Sequence, residues 1–293
     1  MKHLQTGKRQ FCAAFLGGLA VLVFPFSAAF LRFSGGPTPQ HDLQETYYPQ
    51  SADALTLTVA GRTVWEEAPC CFTVCRIDPA AGEILLCVLP PETLVEDGGR
   101  FDTAASVWQR EGGARGSEAL ARALGYPGDR WLDLDADALR RICNAAGALD
   151  YTLEQPLVLP DGTTALTAGR QLLDGTKLAL LMAYGGQDEA SRLTLIGDLL
   201  REGIAQRLPM LGEGQLLTLF ETAVNHGKSD LAVGDFESRR RALTHLATRP
   251  LSVRLIGVSG EYGEGGRAFL PSAQTLQTIE TQYTATKQGA ETG

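Results

Sequence analysis

The stretch CFTVCRIDPAAGEILLCVL (71–89) decides the fold class of this chain of 293 residues. Two runs rich in β-favouring residues, 71–77 and 83–89, flank a short segment that contains the turn residues Pro79 and Gly82. Because so short a segment separates the runs, they predict a β-hairpin.

Further strands and helices are predicted on either side of this hairpin. LTLTVA (55–60) and LSVRLIGV (251–258) favour strands, and the stretch 167–186 predicts a helix, a turn and then an apolar run. Apolar residues at steps of three and four, and capping residues such as Asp135 and Gly147, predict helices. The predicted helices cover residues 117–124, 135–147, 189–208, 215–224 and 236–247. This mixture predicts an α/β fold, a single layered α-β-α domain around a mixed central sheet.

The composition is that of a globular protein with a sizeable core. Hydrophobic residues make up 44% of the chain and charged residues 20%, which excludes a disordered chain, a collagen and a polytopic membrane protein. The net charge of −8 argues against nucleic acid as a partner, because such binding depends on neutralising phosphates. The four histidines lie far apart, so the sequence predicts no histidine-based zinc site.

The N-terminal segment predicts a membrane anchor. Residues 10–31 carry no charge, and as a helix they would span about 33 Å, enough for a hydrocarbon core of about 30 Å. Basic residues precede this run, and positive charge stays on the cytoplasmic side. The alternative is a cleaved signal peptide, with the small residues Ser27 and Ala29 before the cut. Either interpretation places the following domain outside the cytoplasm.

The predicted organisation is therefore that of a single-pass protein of the cell membrane with a cytoplasmic N-terminus. The segments are a cytoplasmic tail (1–9), a transmembrane anchor (10–32), a linker (33–50), an extracytoplasmic domain (51–285) and a flexible tail (286–293).

Five cysteines follow the predicted anchor: Cys70, Cys71, Cys75, Cys87 and Cys143. Their spacing is not that of a zinc site, and they are predicted to be small buried residues on strands. The sequence does not decide whether two of them form a disulfide.

The remaining local motifs favour structural roles. GEYGEGG (260–266) is not followed by the helix that a phosphate-binding loop needs, so it predicts a flexible surface loop. Asp135 is predicted to cap a helix, with Asp133 and Asp137 as first-turn charges. The basic triplet at 239–241 predicts a solvated helix face, with contact to an anionic lipid headgroup as the alternative.

The order of these segments resembles the LytR-CpsA-Psr family, in which a cytoplasmic tail, one membrane helix and an extracytoplasmic α/β domain follow one another. The stretch at 166–184 resembles the family's Gly-x-x-Leu-(Asp/Asn)-Gly helix and the strand after it. The stretches are CFTVCRIDPAAGEILLCVLPPETLV (71–95), RWLDLDADALRRICNAAGALDYTL (130–153), LTAGRQLLDGTKLALLMAY (166–184), SRLTLIGDLLREGIAQRL (191–208) and FLPS (269–272).

The resemblance implies the transfer of a glycopolymer from a polyprenyl pyrophosphate carrier onto peptidoglycan or a similar acceptor. It also implies a deep apolar pocket for the lipid tail, several arginines that bind the pyrophosphate, and aspartates that hold Mg²⁺.

The sequence departs from the family pattern where this chemistry should lie. Cys70 stands at the position of an aspartate, Pro91 at the arginine of the Pro-Arg-Asp-Thr segment, and Ala-Tyr-Gly at 183–185 replaces Arg-x-Arg. Only Glu92 and Arg192 remain as site residues.

Two functions follow. The first is a pseudoenzyme of cell-envelope biogenesis that binds a polyprenyl (pyro)phosphate lipid or a cell-wall glycopolymer, or regulates an active paralogue, with transfer chemistry lost or weak. Its simplest form is a membrane-anchored scaffold without a ligand. The second is an active Mg²⁺-dependent phosphotransferase that attaches a polyprenyl-pyrophosphate-linked glycopolymer to peptidoglycan through a rebuilt site. In that case Glu92 and Arg192 are catalytic, with Glu92 as the metal ligand, and Arg100, Asp102 and Arg170 help to bind the substrate.

Overall fold

The computed structural model describes residues 47–63, 68–186, 188–263 and 265–284. The predicted anchor (10–32) and the predicted tail (286–293) lie outside these ranges. Within them, every helix is too short or too polar to cross a bilayer.

The described ranges contain strands and helices throughout. The strands are β1 (Leu55–Gly61), β2 (Cys71–Asp78), β3 (Glu83–Leu89), β4 (Leu94–Asp97), β5 (Arg100–Thr103), β6 (Arg130–Leu134), β7 (Leu149–Leu153), β8 (Leu157–Val158), β9 (Thr164–Leu166), β10 (Gly169–Leu173), β11 (Lys228–Ser229), β12 (Ser252–Ile256), β13 (Gly260–Tyr262) and β14 (Phe269–Pro271). The helices are α1 (Ala104–Glu111), α2 (Gly113–Leu124), α3 (Ala136–Ala146), α4 (Gly175–Tyr184), α5 (Glu189–Arg207), α6 (Glu213–His226), α7 (Val233–Ala247) and α8 (Ala273–Thr284), with 3-10 turns at Ser51–Asp53 and Leu208–Met210.

The central sheet has six strands in the spatial order β11-β6-β1-β2-β3-β12. β2 runs antiparallel to both β1 and β3, whereas β6 is parallel to β1 and β12 is parallel to β3, so the sheet is mixed. Phe72 lies opposite Leu89, which confirms the predicted hairpin. At the edges lie the two-residue strand β11 and the strand β12, whose Arg254 pairs with Glu83 and donates to Gln282 at 2.7 Å.

Helices cover both faces of this sheet. Alternate side chains of a strand point to opposite faces, so the unbroken apolar run 84–89 of β3 requires an apolar layer on each side. Leu85 and Cys87 pack in a cluster with α1, α2 and α8, whereas Ile84 and Leu86 pack against α5 and α7. This α-β-α layering confirms the predicted fold class.

The stretch 167–186 differs from its prediction of a helix, a turn and then an apolar run, because its first part is a strand and the apolar run is itself the helix. It forms β10, which pairs antiparallel with β7, and then the helix α4. The resemblance of 166–184 to a family helix followed by a strand needs the same correction, because here the strand precedes the helix. Asp174 caps the helix by accepting a hydrogen bond from the Lys177 amide at 2.9 Å. Leu178 and Leu181 of the apolar run lie in a buried cluster beneath α5.

Three smaller predictions are also wrong. The segment 260–266 begins as a strand rather than a loop, because Gly260–Tyr262 form β13, which pairs with β14 in an antiparallel hairpin. Asp133 lies on β6 rather than in a helical turn, and it is buried as the ion-pair partner of Arg62. Asp135 does cap α3, as predicted. Cys143 lies on that helix and not on a strand.

Cys71, Cys75, Cys87 and Cys143 are free thiols in the part of the chain that the structure describes. Cys70, Cys71 and Cys87 are buried, as predicted. Burial raises the pKa of Cys87 to about 12, so this thiol stays protonated and packs as a small apolar side chain.

The basic triplet at 239–241 is only partly a solvated face. The Arg241 guanidinium lies 4.7 Å from the ring centroid of Tyr47, and Arg239 is half-buried beside Asp235. Tyr47, which falls in the predicted linker, therefore packs on α7.

Candidate functional site

The turn after β3 positions Glu92. The Thr93 amide closes this turn on the Pro90 carbonyl at 3.1 Å, and the amide of Phe269 on β14 donates to the Glu92 carbonyl at 2.9 Å. The Glu92 side chain is half-buried, and its Oε2 atom is buried without a hydrogen-bond partner. Because buried carboxylate oxygens are rarely left unpaired, this atom is a candidate ligand-binding group.

Arg192 lies in the first turn of α5, where the helix supplies its own carboxylates. The Asp188 side chain caps the helix by accepting a hydrogen bond from the Ser191 amide at 2.8 Å. Hydrogen bonding by Ser191 holds the pKa of Asp188 below its usual value. Glu189 follows immediately, so two negative charges already occupy the positive end of the helix dipole.

The Arg192 guanidinium is largely satisfied by acceptors of this chain. Its Nη2 atom lies 2.6 and 2.7 Å from the two Glu189 carboxylate oxygens and 3.0 Å from the Cys70 carbonyl oxygen, and its Nε atom lies 3.1 Å from Glu189 Oε2. Burial lowers the pKa of Arg192, but the hydrogen bonds and charge of Glu189 outweigh it, so the pKa lies above its usual value. Only the Nη1 atom is buried without a partner.

Two buried thiols complete this side of the site. The Cys70 amide donates to the Gly61 carbonyl at 2.8 Å, which places Cys70 directly before β2. The hydrogen bond that the Cys71 thiol donates to Cys70 raises the pKa of Cys71, and burial raises it further, although Arg192 opposes them. Cys71 is therefore protonated and neutral at physiological pH.

Tyr262 of β13 has a raised pKa. Burial is the largest cause, and the negative charges of Glu92 and Glu189 raise it further. Its ring packs on Phe269 at 5.3 Å between centroids. At the start of α5, Asp188 and Glu189 carry two negative charges against the one positive charge of Arg192, so the net charge there is negative.

The residues present do not fit Mg²⁺, the ion that the family resemblance implies. Within the described ranges, no group of three or more histidine, cysteine, aspartate or glutamate side chains could hold a metal. Glu92 offers one unpaired oxygen, but Cys70 replaces the aspartate expected beside it. A thiol is a soft ligand, whereas Mg²⁺ favours oxygen.

The other three predicted site residues lie on two small two-stranded sheets, Arg100 and Asp102 on β5 beside β4 and Arg170 on β10 beside β7. Asp102 of β5 accepts a hydrogen bond from Arg110 at 2.8 Å, which lowers the pKa of Asp102, and Arg100 on the same strand is exposed. Arg170 of β10 is 78% exposed and pairs with Asp150. In the described structure, none of the three has a hydrogen bond or ion pair to Glu92 or Arg192.

Glu189 and Tyr262 are the residues of this site that the sequence reasoning missed. A glutamate three residues before an arginine on a helix is a signal for an ion pair, and it could have identified Glu189. Tyr262 has no comparable signal, because its place depends on how the β13–β14 hairpin folds over the end of the sheet.

Several solved structures share this fold. A protein from Eubacterium siraeum DSM 15702 that carries the name of a transcription regulator is 12% identical, with a TM-score of 0.73 over 86% of this chain and 99% of that one. B. subtilis TagV is 14% identical, with a TM-score of 0.65 over 80% of this chain and 97% of TagV. TagT bound to LIIa-WTA is 16% identical, with a TM-score of 0.66 over 86% of this chain and 97% of TagT.

The sequence itself matches no family model and no curated protein. The similarities in structure establish the fold, which is the LytR-CpsA-Psr fold that the order of segments predicted.

Proposed function

We propose that this chain is a membrane-anchored, extracytoplasmic LytR-CpsA-Psr-like protein of cell-envelope biogenesis. It binds a polyprenyl-linked glycopolymer or lipid, or regulates an active paralogue, and its transferase chemistry is lost or weak. The uncharged run at 10–31, with basic residues before it, supports a single-pass anchor with a cytoplasmic N-terminus.

One observation carries the loss of chemistry: Arg192 is already bound by Glu189. A pyrophosphate group needs several guanidinium groups that can donate in pairs. Here the one guanidinium, that of Arg192, already pairs with the Glu189 carboxylate, and Asp188 caps the same helix end. A diphosphate would have to displace Glu189 and would meet net negative charge.

The kind of ligand is supported by the fold and by one similar structure. TagT is bound to LIIa-WTA in its structure, which agrees with the ligand class proposed here. The name of transcription regulator carried by another similar structure is less compatible with this chain, because a net charge of −8 argues against binding to a phosphate backbone.

A thermal-shift measurement tests binding. Full-length protein in detergent is heated with a polyprenyl phosphate, and the matched control is the unphosphorylated polyprenol. A ligand at 100 times its Kd stabilises by about 2.7 kcal/mol, which raises the Tm of a domain of this size by roughly 5–10 °C. If neither lipid changed the Tm, the protein would be better described as a membrane-anchored scaffold that binds no ligand.

The alternative is an active phosphotransferase that attaches a polyprenyl-pyrophosphate-linked glycopolymer to peptidoglycan through a rebuilt site. It is favoured by the two buried atoms without partners, Glu92 Oε2 and Arg192 Nη1. Such a site releases phosphate from a polyprenyl pyrophosphate in the presence of Mg²⁺, and Glu92→Gln and Arg192→Ala each remove that activity. Absence of release with any divalent metal would exclude this alternative.

A further inference from the structure

A cavity of about 500 Å³ lies beside β6 and the start of α2. Its volume falls within the range of about 300–1,000 Å³ that is usual for small-molecule sites. It shares no lining residue with the site formed by Glu92, Glu189, Arg192 and Tyr262. The described residues that line it are Arg62, Pro69, Trp108, Gln109, Gly112, Gly113, Trp131, Asp133 and Lys228.

Two indole rings form its apolar walls. Trp108 and Trp131 meet edge to face, with ring centroids 5.9 Å apart. Two glycines of α2 make room for them, because an added Cβ would overlap the Trp131 ring at Gly113 and the Trp108 ring at Gly116. The helix is therefore built around the indoles, and the walls of the cavity are fixed by packing.

The acceptors in the cavity are already used. Asp133 is buried, forms an ion pair with Arg62, and accepts a hydrogen bond from Trp108 Nε1 at 3.0 Å. This pair leaves no net charge, and its carboxylate oxygens are engaged.

The donors in the cavity are in excess. Trp131 Nε1 is buried without a hydrogen-bond partner, and Lys228 forms no ion pair with any residue that the structure describes. The helix α2 begins at Gly113 without a side-chain cap, so its first N–H groups add donors and a positive dipole end. A ligand of matching chemistry must accept hydrogen bonds and carry negative charge.

We propose that this cavity binds a sugar unit that carries a phosphate or a carboxylate group. The anion lies on Lys228, Trp131 Nε1 and the start of α2, and an apolar face of the sugar ring lies on an indole. Gln109 at the rim supplies an amide for the ring hydroxyls. This inference goes beyond the proposed function, since the cavity can bind such a unit whether or not the lipid site is occupied.

Isothermal titration of the full-length protein tests the proposal with four probes. They are glucose 1-phosphate, glucuronate, neutral glucose and inorganic phosphate. One or both anionic sugars should bind at least tenfold more tightly than glucose, because a hydrogen bond to a charged group contributes about 10- to 150-fold. The tighter of the two identifies the headgroup as phosphate or carboxylate.

Variants locate the binding in the cavity. Lys228→Gln should weaken the anionic sugar by about 10- to 150-fold, and Trp131→Phe, which keeps a ring but removes the donor, by about fivefold. Lys177→Gln is the matched control, because it makes the same charge change on α4, and it should leave the affinity unchanged.

Three results would overturn the proposal. They are no heat from either anionic sugar at millimolar concentration, equal affinities for glucose and the anionic sugars, and unchanged binding by Lys228→Gln. If inorganic phosphate bound as tightly as glucose 1-phosphate, the sugar ring would contribute nothing to binding, and the proposal of a sugar ligand would be wrong.

Discussion

Replacing Glu189 by glutamine should give this protein affinity for a diphosphate. In the wild-type protein, the Glu189 carboxylate makes three contacts of 2.6–3.1 Å with Arg192, whose side chain is only 14% exposed. Glutamine keeps the size of the side chain but removes its charge. The Arg192 guanidinium then becomes available to an external anion at the start of α5.

The size of the effect follows from this geometry. A hydrogen bond to a charged group contributes about 1.5–3 kcal/mol. The Glu189 side chain is 38% exposed, so water screens its charge, and the lower part of that range applies. We therefore expect inorganic pyrophosphate to bind about 10- to 30-fold more tightly to Glu189→Gln than to the wild-type protein.

Isothermal titration with inorganic pyrophosphate at about 0.15 M salt measures this change directly. Glu237→Gln is the control, because Glu237 also forms an ion pair with an arginine three residues later on a helix and its removal changes the net charge equally. Equal affinities of Glu189→Gln and Glu237→Gln would refute the idea that the internal carboxylate is what excludes the diphosphate.

Three further predictions concern stability, each measured by urea unfolding. Gly113→Ala should cost about 1–3 kcal/mol because the new methyl overlaps the Trp131 ring, whereas Gly203→Ala, in open space on α5, should stabilise by about 1 kcal/mol; equal effects would show that the ring moves freely. Asp78→Ala should cost about 3–5 kcal/mol, because it removes the carboxylate that lies 3.2 Å from the buried Arg76 guanidinium, and a loss below about 1 kcal/mol would contradict this. The pKa of Cys87 is raised to about 12, so the unfolded state releases the thiol proton first as the pH rises. The contribution of Cys87 to the free energy of unfolding should therefore fall from about pH 9 upward by about 1.4 kcal/mol per pH unit. Cys87→Ala should lack this contribution, and identical pH profiles of the two proteins would contradict the assignment.

The central part of the fold could be predicted because its signals are local. The runs at 71–77 and 83–89 are long, apolar and separated by turn residues, and α5 repeats its apolar residues at helical steps. The helix α4 was misplaced because most sides of its apolar run are packed, which removes the periodicity. The cap at Asp174 was the local signal that could have corrected it.

The site was predictable only in part. The resemblance to a family indicated Glu92 and Arg192, and the structure places Glu92 in the turn after β3 and Arg192 in the first turn of α5. What the sequence did not reveal is that Glu189 occupies the guanidinium, since this depends on side-chain geometry. The cavity lined by Trp131 was missed for another reason: its lining residues come from α1, α2, β6, β11 and the segments that follow β1 and precede β2, and no short motif joins them.

The two borders of the central sheet affect how copies of this protein behave when crowded. One border offers only Lys228 and Ser229, too few backbone groups to template another strand. On the other, Arg254 of β12 forms an ion pair with Glu83 and donates to Gln282 on α8. Very short strands and charged side chains at an edge oppose pairing with a further strand, so both borders disfavour edge-to-edge aggregation.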